Sequence, residues 1–358
     1  MDQRQDELSK WVAEKLNLPS ISLSMVSGDA SFRRYFRASK EGSSWIVMDA
    51  PPEKEDSTSF VEIAQYWSGC NIQVPKIVDF DLSKGFLLLS DMGDIQLISK
   101  LLSSSESLSS SVLTQFDEAQ GSRYYTQAMD ILLQLQSIKP DLAHVLPEYN
   151  TALLQREMAL FSDWLLEEKL SIVLNSTEKA LLNSCYQLLE ENALLQVQVP
   201  VHRDFHSRNL MVLEDDSLGV LDFQDAVMGP ITYDLVSLLR DCYVIWPDEQ
   251  VEAWCRQYHQ KLLDAKLLDV NFTSFKKQFD YMGIQRHLKA AGIFARLSLR
   301  DGKHGYLDDI PNTFSYIVDV SGRYPELKAL HQFLLNRVQP AIFSLGAKGS
   351  LEVQGIES

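Results

Sequence analysis

His202-Arg203-Asp204-Phe205-His206-Ser207-Arg208-Asn209 and, thirteen residues after its asparagine, Leu221-Asp222-Phe223 are the stretches on which the fold turns. Around them Val201, the run Leu210 to Leu213 and the run Leu218 to Phe223 read as short strands separated by polar turns. The flanking sequence is helical in pattern. Tyr124, Ala128, Ile131, Leu132 and Leu135 mark one helix face and Glu178 to Asn192 another; helices resume at Leu235 to Tyr243 and continue to about Phe343. A lone His-x-Asp or Asp-Phe pair usually marks a turn or a capped helix. Five specified residues at fixed spacing on strand ends, set inside a helical half, mark a site.

The residue types define its chemistry. H-R-D-x-x-x-x-N followed by a strand-end aspartate is the set that phosphoryl transfer uses: one carboxylate orients and deprotonates an attacking hydroxyl, while an amide oxygen and a second carboxylate hold Mg2+ on nucleotide phosphates. Asp204 is the expected catalytic base, and Asn209 and Asp222 the metal ligands, both hard oxygen donors of the kind Mg2+ prefers. His202 is expected to orient the loop through hydrogen bonds. Arg203 and Arg208 are partners for charge in the loop or substrate, and His206 is open between orienting the loop and carrying a proton.

From about Ile21 to Gly93 the sequence reads as a small sheet with one helix. Ile21 to Val26 and Tyr35 to Ala38 flank a Gly-Asp-Ala-Ser turn, and Ser44 to Met48 is a further strand stopped by Pro51-Pro52. Phe60, Ile63, Ala64 and Trp67 recur at helical spacing, and Ile77 to Phe80 and Phe86 to Leu89 flank a hairpin turn. The Gly-Asp-Ala-Ser turn is expected to cover the nucleotide phosphates, with amides near Ala30 and Ser31 and the side chains of Arg33, Arg34 or Arg37 as donors. Backbone groups at Ser90 and Met92 are expected to meet the adenine edge. No G-x-x-x-x-G-K-[S/T] occurs, which excludes a P-loop.

One kinase part is missing. A strand of the V-A-I-K type ends in lysine, but Trp45-Ile46-Val47-Met48-Asp49 ends in Met and Asp, leaving Glu62 without the usual ion-pair partner. Lys54 and the arginines of the turn are the candidate substitutes; the alternative is a catalytically dead chain.

The 358 residues carry 33 Lys+Arg against 49 Asp+Glu, a net charge of −16. That balance argues against nucleic acid or an anionic membrane as the main partner. The acidic start, Met1 to Glu7, lacks a signal-peptide pattern, and no run of about 18 apolar residues occurs, so the expected location is cytoplasmic and no membrane partner is expected. Cys70, Cys185, Cys242 and Cys255 are scattered and read as buried thiols, and Ser103 to Ser111 as a solvated connection.

The chain resembles the aminoglycoside-phosphotransferase-type kinases on His202, Asp204, Asn209 and Asp222, with the continuation Leu221-Asp222-Phe223-Gln224-Asp225-Ala226. A narrower resemblance, to the anomeric amino-sugar kinases of bacterial cell-wall recycling, rests on Asp29 to Arg37, Met48-Asp49-Ala50-Pro51-Pro52, Val227 to Leu235 and Gly283 to Lys289, and extends over about Asp6 to Leu345. It implies an α+β, bilobal protein-kinase-like fold: residues 1–93 a small β-sheet nucleotide-binding lobe, 94–345 a mainly helical catalytic and substrate-binding lobe, and 346–358 a flexible tail. It implies ATP and Mg2+ as cofactors and transfer to the anomeric hydroxyl of N-acetylmuramate and/or N-acetylglucosamine, giving a sugar 1-phosphate in peptidoglycan recycling. A monomer is expected. The branch shares the Met48-Asp49 ending, which implies substitution for the lysine rather than loss of activity. The rival readings are a kinase for another small acceptor, such as an aminoglycoside or amino alcohol, and a nucleotide-binding pseudokinase with a regulatory role.

For the acceptor, His206, Arg208, Asp225, Arg240 and Asp241 are candidate polar groups, together with a helix bearing Gln285, Arg286, Lys289 and Arg296. Arg286, Lys289, Ile293 and Arg296 fall on one side of that helix, where a solvated cationic face competes with a substrate-facing stripe. Tyr233, Trp246 and Tyr306 suit stacking on a sugar ring or packing in the core, and Asp234, before Leu235 to Leu239, reads as a helix cap.

Overall fold

The computed structural model describes residues 3–28, 32–102, 118–138 and 146–344. Ala30 and Ser31, the serine-rich stretch and the expected 346–358 tail lie outside the described residues. The chain folds as two compact units, Met1–Lys100 with Asp141–Val145 and Arg208–Ala226, and Leu101–Pro140 with Leu146–Ser207 and Val227–Ser358. Where the sequence reading divides the chain at Gly93, the structure gathers Arg208–Ala226 into the first unit as well.

In the first unit, helix α1 (Gln3–Lys15) precedes strands β1 (Leu23–Gly28), β2 (Arg34–Lys40) and β3 (Ser43–Asp49), helix α2 (Thr58–Gly69), strands β4 (Ile77–Asp81) and β5 (Phe86–Ser90), and helix α3 (Leu97–Leu102). The strands form an antiparallel sheet in the order β1-β2-β3-β5-β4. Helix α1 was not expected from the sequence. Its Leu8, Trp11 and Val12 recur at i, i+3, i+4 and are buried with Phe36, Val47, Phe86 and Leu88 of the sheet. The turn into β5 requires glycine: Gly85 has φ 68°, and a Cβ there would lie 1.7 Å from the Ala50 carbonyl oxygen.

The hairpin formed by Leu210–Val212 and Leu218–Val220 belongs to this unit through its backbone. Val212 N–H donates to Ile95 O and Val220 N–H to Gln73 O, both at 2.7 Å. Beyond it, the Phe223 ring packs against Phe60 at 4.9 Å and Trp67 at 5.6 Å on α2.

The second unit is helical, with α4 (Glu118–Gln136), α5 (Thr151–Leu160), α6 (Ser176–Leu194), α7 (Tyr233–Leu239), α8 (Asp248–Asp264), α9 (Phe272–Asp301), α10 (Ile310–Arg323) and α11 (Lys328–Phe333). A two-stranded antiparallel ribbon, Gln198–Val201 with Val227–Pro230, carries the chain into the His202 loop. Helix α9 starts at Asn271, whose side chain accepts from Ser274 N–H at 2.9 Å, and stops at Gly302 with φ 67°. Over most of its 30 residues α9 is buried, and it reaches α5 by a close backbone approach at Gly292. A Cβ on Gly292 would lie 2.4 Å from Leu160 O, just before the chain continues from α5 into a π-helical stretch, Phe161–Lys169.

Because backbone, not a flexible side chain, fills that space, Gly292→Ala must displace α9 from α5. We expect a loss of about 1–3 kcal/mol in urea unfolding. An unchanged midpoint would show that the approach is looser than drawn.

Candidate active site

Within the first unit, Asn209 precedes one hairpin strand and Asp222 follows the other, so antiparallel pairing brings them together. Leu221 N–H donates to Asn209 O at 2.9 Å, and the Asn209 amide lies 3.5 Å from Asp222 Oδ2. Gln224 Nε2 donates to Asp222 Oδ1 at 2.7 Å. Asp222 is exposed and has φ 63°. The pair offers a carboxylate and an amide oxygen, the hard donor set that fits Mg2+.

The same unit holds a cavity of about 470 Å³, within the range for small-molecule sites. Val26, Ile46, Leu89, Met211 and Leu221 give it apolar walls, and Arg208, Asn209 and Asp222 line it too. Apolar walls suit a base; the Asn209–Asp222 end suits phosphates. Ser90 and Met92 also line the cavity, but the Ser90 amide is not free as expected: it donates to Lys76 O at 2.9 Å. The Met92 main chain makes no hydrogen bond among the described residues, which leaves it for a base edge.

The three arginines after the turn go to three different places. Arg34 holds Asp49 Oδ2 through Nε at 3.0 Å and a terminal nitrogen at 2.6 Å, while Arg4 of α1 holds Oδ1. Arg37 forks onto Asp91 at 2.7 and 3.1 Å and pairs with Asp94, bracing the segment after β5. Arg33 is buried and pairs with Glu55 at 2.6 Å. Glu62 is exposed on α2, and Lys54 is exposed with Nζ 4.9 Å from the Phe32 ring centroid.

The second unit holds Asp204 in a loop fixed at several points. His202 is fully buried, and its Nδ1 accepts from Asp204 N–H at 3.2 Å. Asp234 is not the helix cap expected: Thr232 occupies that position, and the Asp234 carboxylate accepts from the amides of His202 at 2.7 Å and Arg203 at 3.0 Å. Those bonds brace Arg203, whose φ is 76°. Burial raises the Asp234 pKa to about 6. At the loop's other end Asp241 accepts from Ser207 N–H at 2.9 Å and Ser207 Oγ at 2.5 Å.

Around Asp204 the charge is arranged with care for sign. Burial pushes its pKa up, and the charges of Lys289, Arg286 and Arg203 outweigh that and hold it well below the ordinary carboxylate range. Arg286 and Lys289 are buried on α9, so their side of the helix is not the solvated face that competed at the sequence level. Lys289 Nζ donates to Tyr233 OH at 3.0 Å and lies 3.4 Å from Glu157 Oε1. Glu157 also accepts from Arg203, from Tyr149 OH and from Gln285 Nε2 at 3.2 Å. Sequence reading missed Glu157; the signal was an acid on the core face of α5, between Leu154 and Met158.

The remaining candidates are placed as follows. His206 packs edge-on to Tyr243 at 5.4 Å, and its buried Nδ1 has no partner among the described residues. Burial lowers its pKa to about 4, which keeps it neutral near pH 7. Arg240 is committed to Asp280 at 2.7 Å and lies over the Phe279 ring. Arg208 and the exposed Asp225 belong to the first unit, and His206, Arg286 and Lys289 to the second. Tyr233 and Trp246 are buried, while Tyr306 stacks on Phe294 at 5.5 Å.

A sheet unit with a paired carboxylate and amide, and a helical unit presenting a loop aspartate among cations, are the parts expected of a phosphotransferase. Residues 22–268 match the phosphotransferase enzyme family, and the chain belongs to that family. It is 40% identical over 344 residues to the N-acetylmuramate/N-acetylglucosamine kinase of Pseudomonas putida, a match covering 93% of this chain and 96% of that one. The Pseudomonas aeruginosa protein of the same name is 41% identical over 325 residues, covering 90% and 91%. Among solved structures, the ethanolamine kinase of Plasmodium vivax superposes with a TM-score of 0.60 at 11% identity, covering 86% of this chain and 83% of that one. That last likeness carries the fold alone.

Two histidines of the second unit, His287 buried and His206 half-buried, give a pH signature. Burial lowers His206 to about 4 and His287 to about 3, whereas each titrates near 6.5 in the unfolded chain. The unfolded state then binds more protons, so their contribution to stability is present above pH 6.5 and is lost as pH falls toward the folded values. The loss should be roughly 1.4 kcal/mol per pH unit for each histidine. Urea unfolding at pH 7.5, 6 and 5 checks it: the cost of His287→Gln should shrink as pH falls, and a pH-independent cost would refute the assignment.

Proposed function

We propose that the chain is an ATP- and Mg2+-dependent kinase that phosphorylates the anomeric hydroxyl of N-acetylmuramate or N-acetylglucosamine and releases the sugar 1-phosphate. The observation that carries the reading is Asp204, a loop carboxylate held ionised by Lys289, Arg286 and Arg203, in a chain whose next five residues lead to a metal-ligand pair. The substrate assignment draws on the named function of the relatives at about 40% identity. Asn209 and Asp222 would hold Mg2+, which when bound neutralises charge on the phosphate oxygens.

In this reading Asp204 accepts a hydrogen bond from the acceptor hydroxyl and aims its oxygen at the γ-phosphorus. The acceptor O–P bond forms as the bond from γ-phosphorus to the β–γ bridging oxygen breaks; the electron pair leaves with ADP and the acceptor proton passes to Asp204. A carboxylate with a lowered pKa is a weak base. It suffices because the transition state is loose and an anomeric hydroxyl is more acidic than an ordinary alcohol, so orientation contributes more than proton abstraction. The pseudokinase reading, motivated by Met48, is disfavoured by the retention of Asp204, Asn209 and Asp222. The reading places the reaction in the cytoplasm on a monomer. No helix among the described residues is long and apolar enough to cross a membrane.

Incubation with ATP, Mg2+ and a panel of amino sugars, aminoglycosides and amino alcohols, followed by ³¹P NMR, tests this. A phosphate coupled to an anomeric proton is expected; turnover of non-sugars alone overturns the substrate, and nucleotide binding without turnover favours the pseudokinase. Asp204→Asn should lower kcat by about 10²-fold or more, the scale of general-base and positioning effects, with ATP affinity nearly unchanged. Turnover near wild type would remove Asp204 from the mechanism.

A further inference from the structure

The structure assigns to Arg33 the cationic role at the ATP phosphates that a lysine ending β3 would fill, with Glu55 as its positioning carboxylate. The assignment rests on the kinase reading above and identifies which cation replaces the lysine.

The strand register makes the case. Arg37 pairs with Ile46 and Ile46 with Leu89, and all three line the cavity, as does Tyr35. Directly paired residues share a sheet face and residues two apart repeat it, so Met48, opposite Tyr35 and two residues beyond Ile46, stands on the cavity face. That is the lysine position, and it holds a fully buried apolar side chain. Asp49, one residue on, faces the other way to Arg4 and Arg34. The acid that ends β3 is therefore compensated on the opposite face and makes no claim on the phosphates.

Arg33 lies two residues before Tyr35, just ahead of β2, and its side chain makes a hydrogen bond with Tyr35, which lines the cavity. Its side chain is only 7% exposed, and it is fixed by Glu55 at 2.6 Å. Although burial opposes it, Tyr35 and the carboxylates of Glu55 and Asp222 favour the charged guanidinium. The other cations of the region are committed elsewhere: Arg34 to Asp49, Arg37 to Asp91 and Asp94. Lys54, solvated and stacked on Phe32, and Arg208, which lines the cavity beside Asn209, are the remaining competitors. A guanidinium can hold Glu55 with one edge of its fork and offer another N–H to a phosphate oxygen, so Arg33 and Glu55 reproduce a lysine–glutamate pair from different strands and loops.

Calorimetric titration of ATP and of adenosine, without added metal, separates a phosphate contact from a structural one. Arg33→Met should weaken ATP binding by roughly 10- to 100-fold, as expected for a charge-assisted hydrogen bond, and leave adenosine binding within about twofold. Arg33→Lys should recover part of the loss, and Glu55→Gln should give a smaller loss of the same kind. The assignment is overturned if Arg33→Met binds ATP as wild type does, if it loses adenosine equally, or if Lys54→Met or Arg208→Met alone reproduces the selective loss. Wild-type turnover in the NMR panel tests the parent reading separately: a wild type that turns over sugar, with an ATP-normal Arg33→Met, sinks this assignment and spares the kinase.

Discussion

A carboxylate partly withdrawn from water must find fixed positive charge or give up its ionisation, and the second unit is organised around meeting that demand at the half-buried Asp204. Lys289 and Arg286 come from α9 and Arg203 from the loop itself. Cations in such number would repel one another if left alone. Glu157 on α5 stands against both Lys289 and Arg203, and Tyr149 and Gln285 complete its hydrogen bonds. The charge on the proposed base therefore depends on how closely α9 lies to α5, which the bare backbone at Gly292 permits. A helix–helix approach with no chemical role of its own sets the electrostatics around Asp204.

The first unit solves the opposite problem. Asp222 is exposed rather than buried, which suits its proposed contact with a hydrated cation. With a net charge of −16, the chain can bind a polyanionic nucleotide only where that sign is reversed locally. The arginines following the turn are divided: Arg34 neutralises Asp49 on one face of β2, Arg37 braces Asp91 on the cavity face, and Arg33, just ahead of the strand, pairs with Glu55.

Much of this was legible in the sequence, because strands and hairpins write their period locally. The sheet strands, the α2 face and the hairpin carrying Asn209 and Asp222 all fall where alternation and turn residues put them. Helix α1 was overlooked although Leu8, Trp11 and Val12 mark its face, since polar residues dominate its count. Asp234 was misread because an aspartate beside an apolar helix looks the same whether it caps that helix or reaches a loop more than thirty residues earlier. Nor can spacing reveal that Glu157 meets Lys289: pairings between distant helices are settled by packing, and the only local trace is an acid on a face otherwise apolar.

Both functional loops also hold a non-glycine residue at positive φ, Arg203 at 76° and Asp222 at 63°. Left-handed backbone costs such residues roughly 1–2 kcal/mol, so glycine would be the cheaper choice at either position if backbone shape were all that mattered. It is not. At position 203 the guanidinium is needed against Glu157, and at 222 the carboxylate is needed beside Asn209. The strain is then offset where each side chain or amide is caught: Asp234 takes the amides of His202 and Arg203, and Gln224 takes Asp222 Oδ1. In each unit a strained residue keeps its side chain because neighbours secure the conformation, which is how a loop aims a functional group without relying on its own intrinsic preferences.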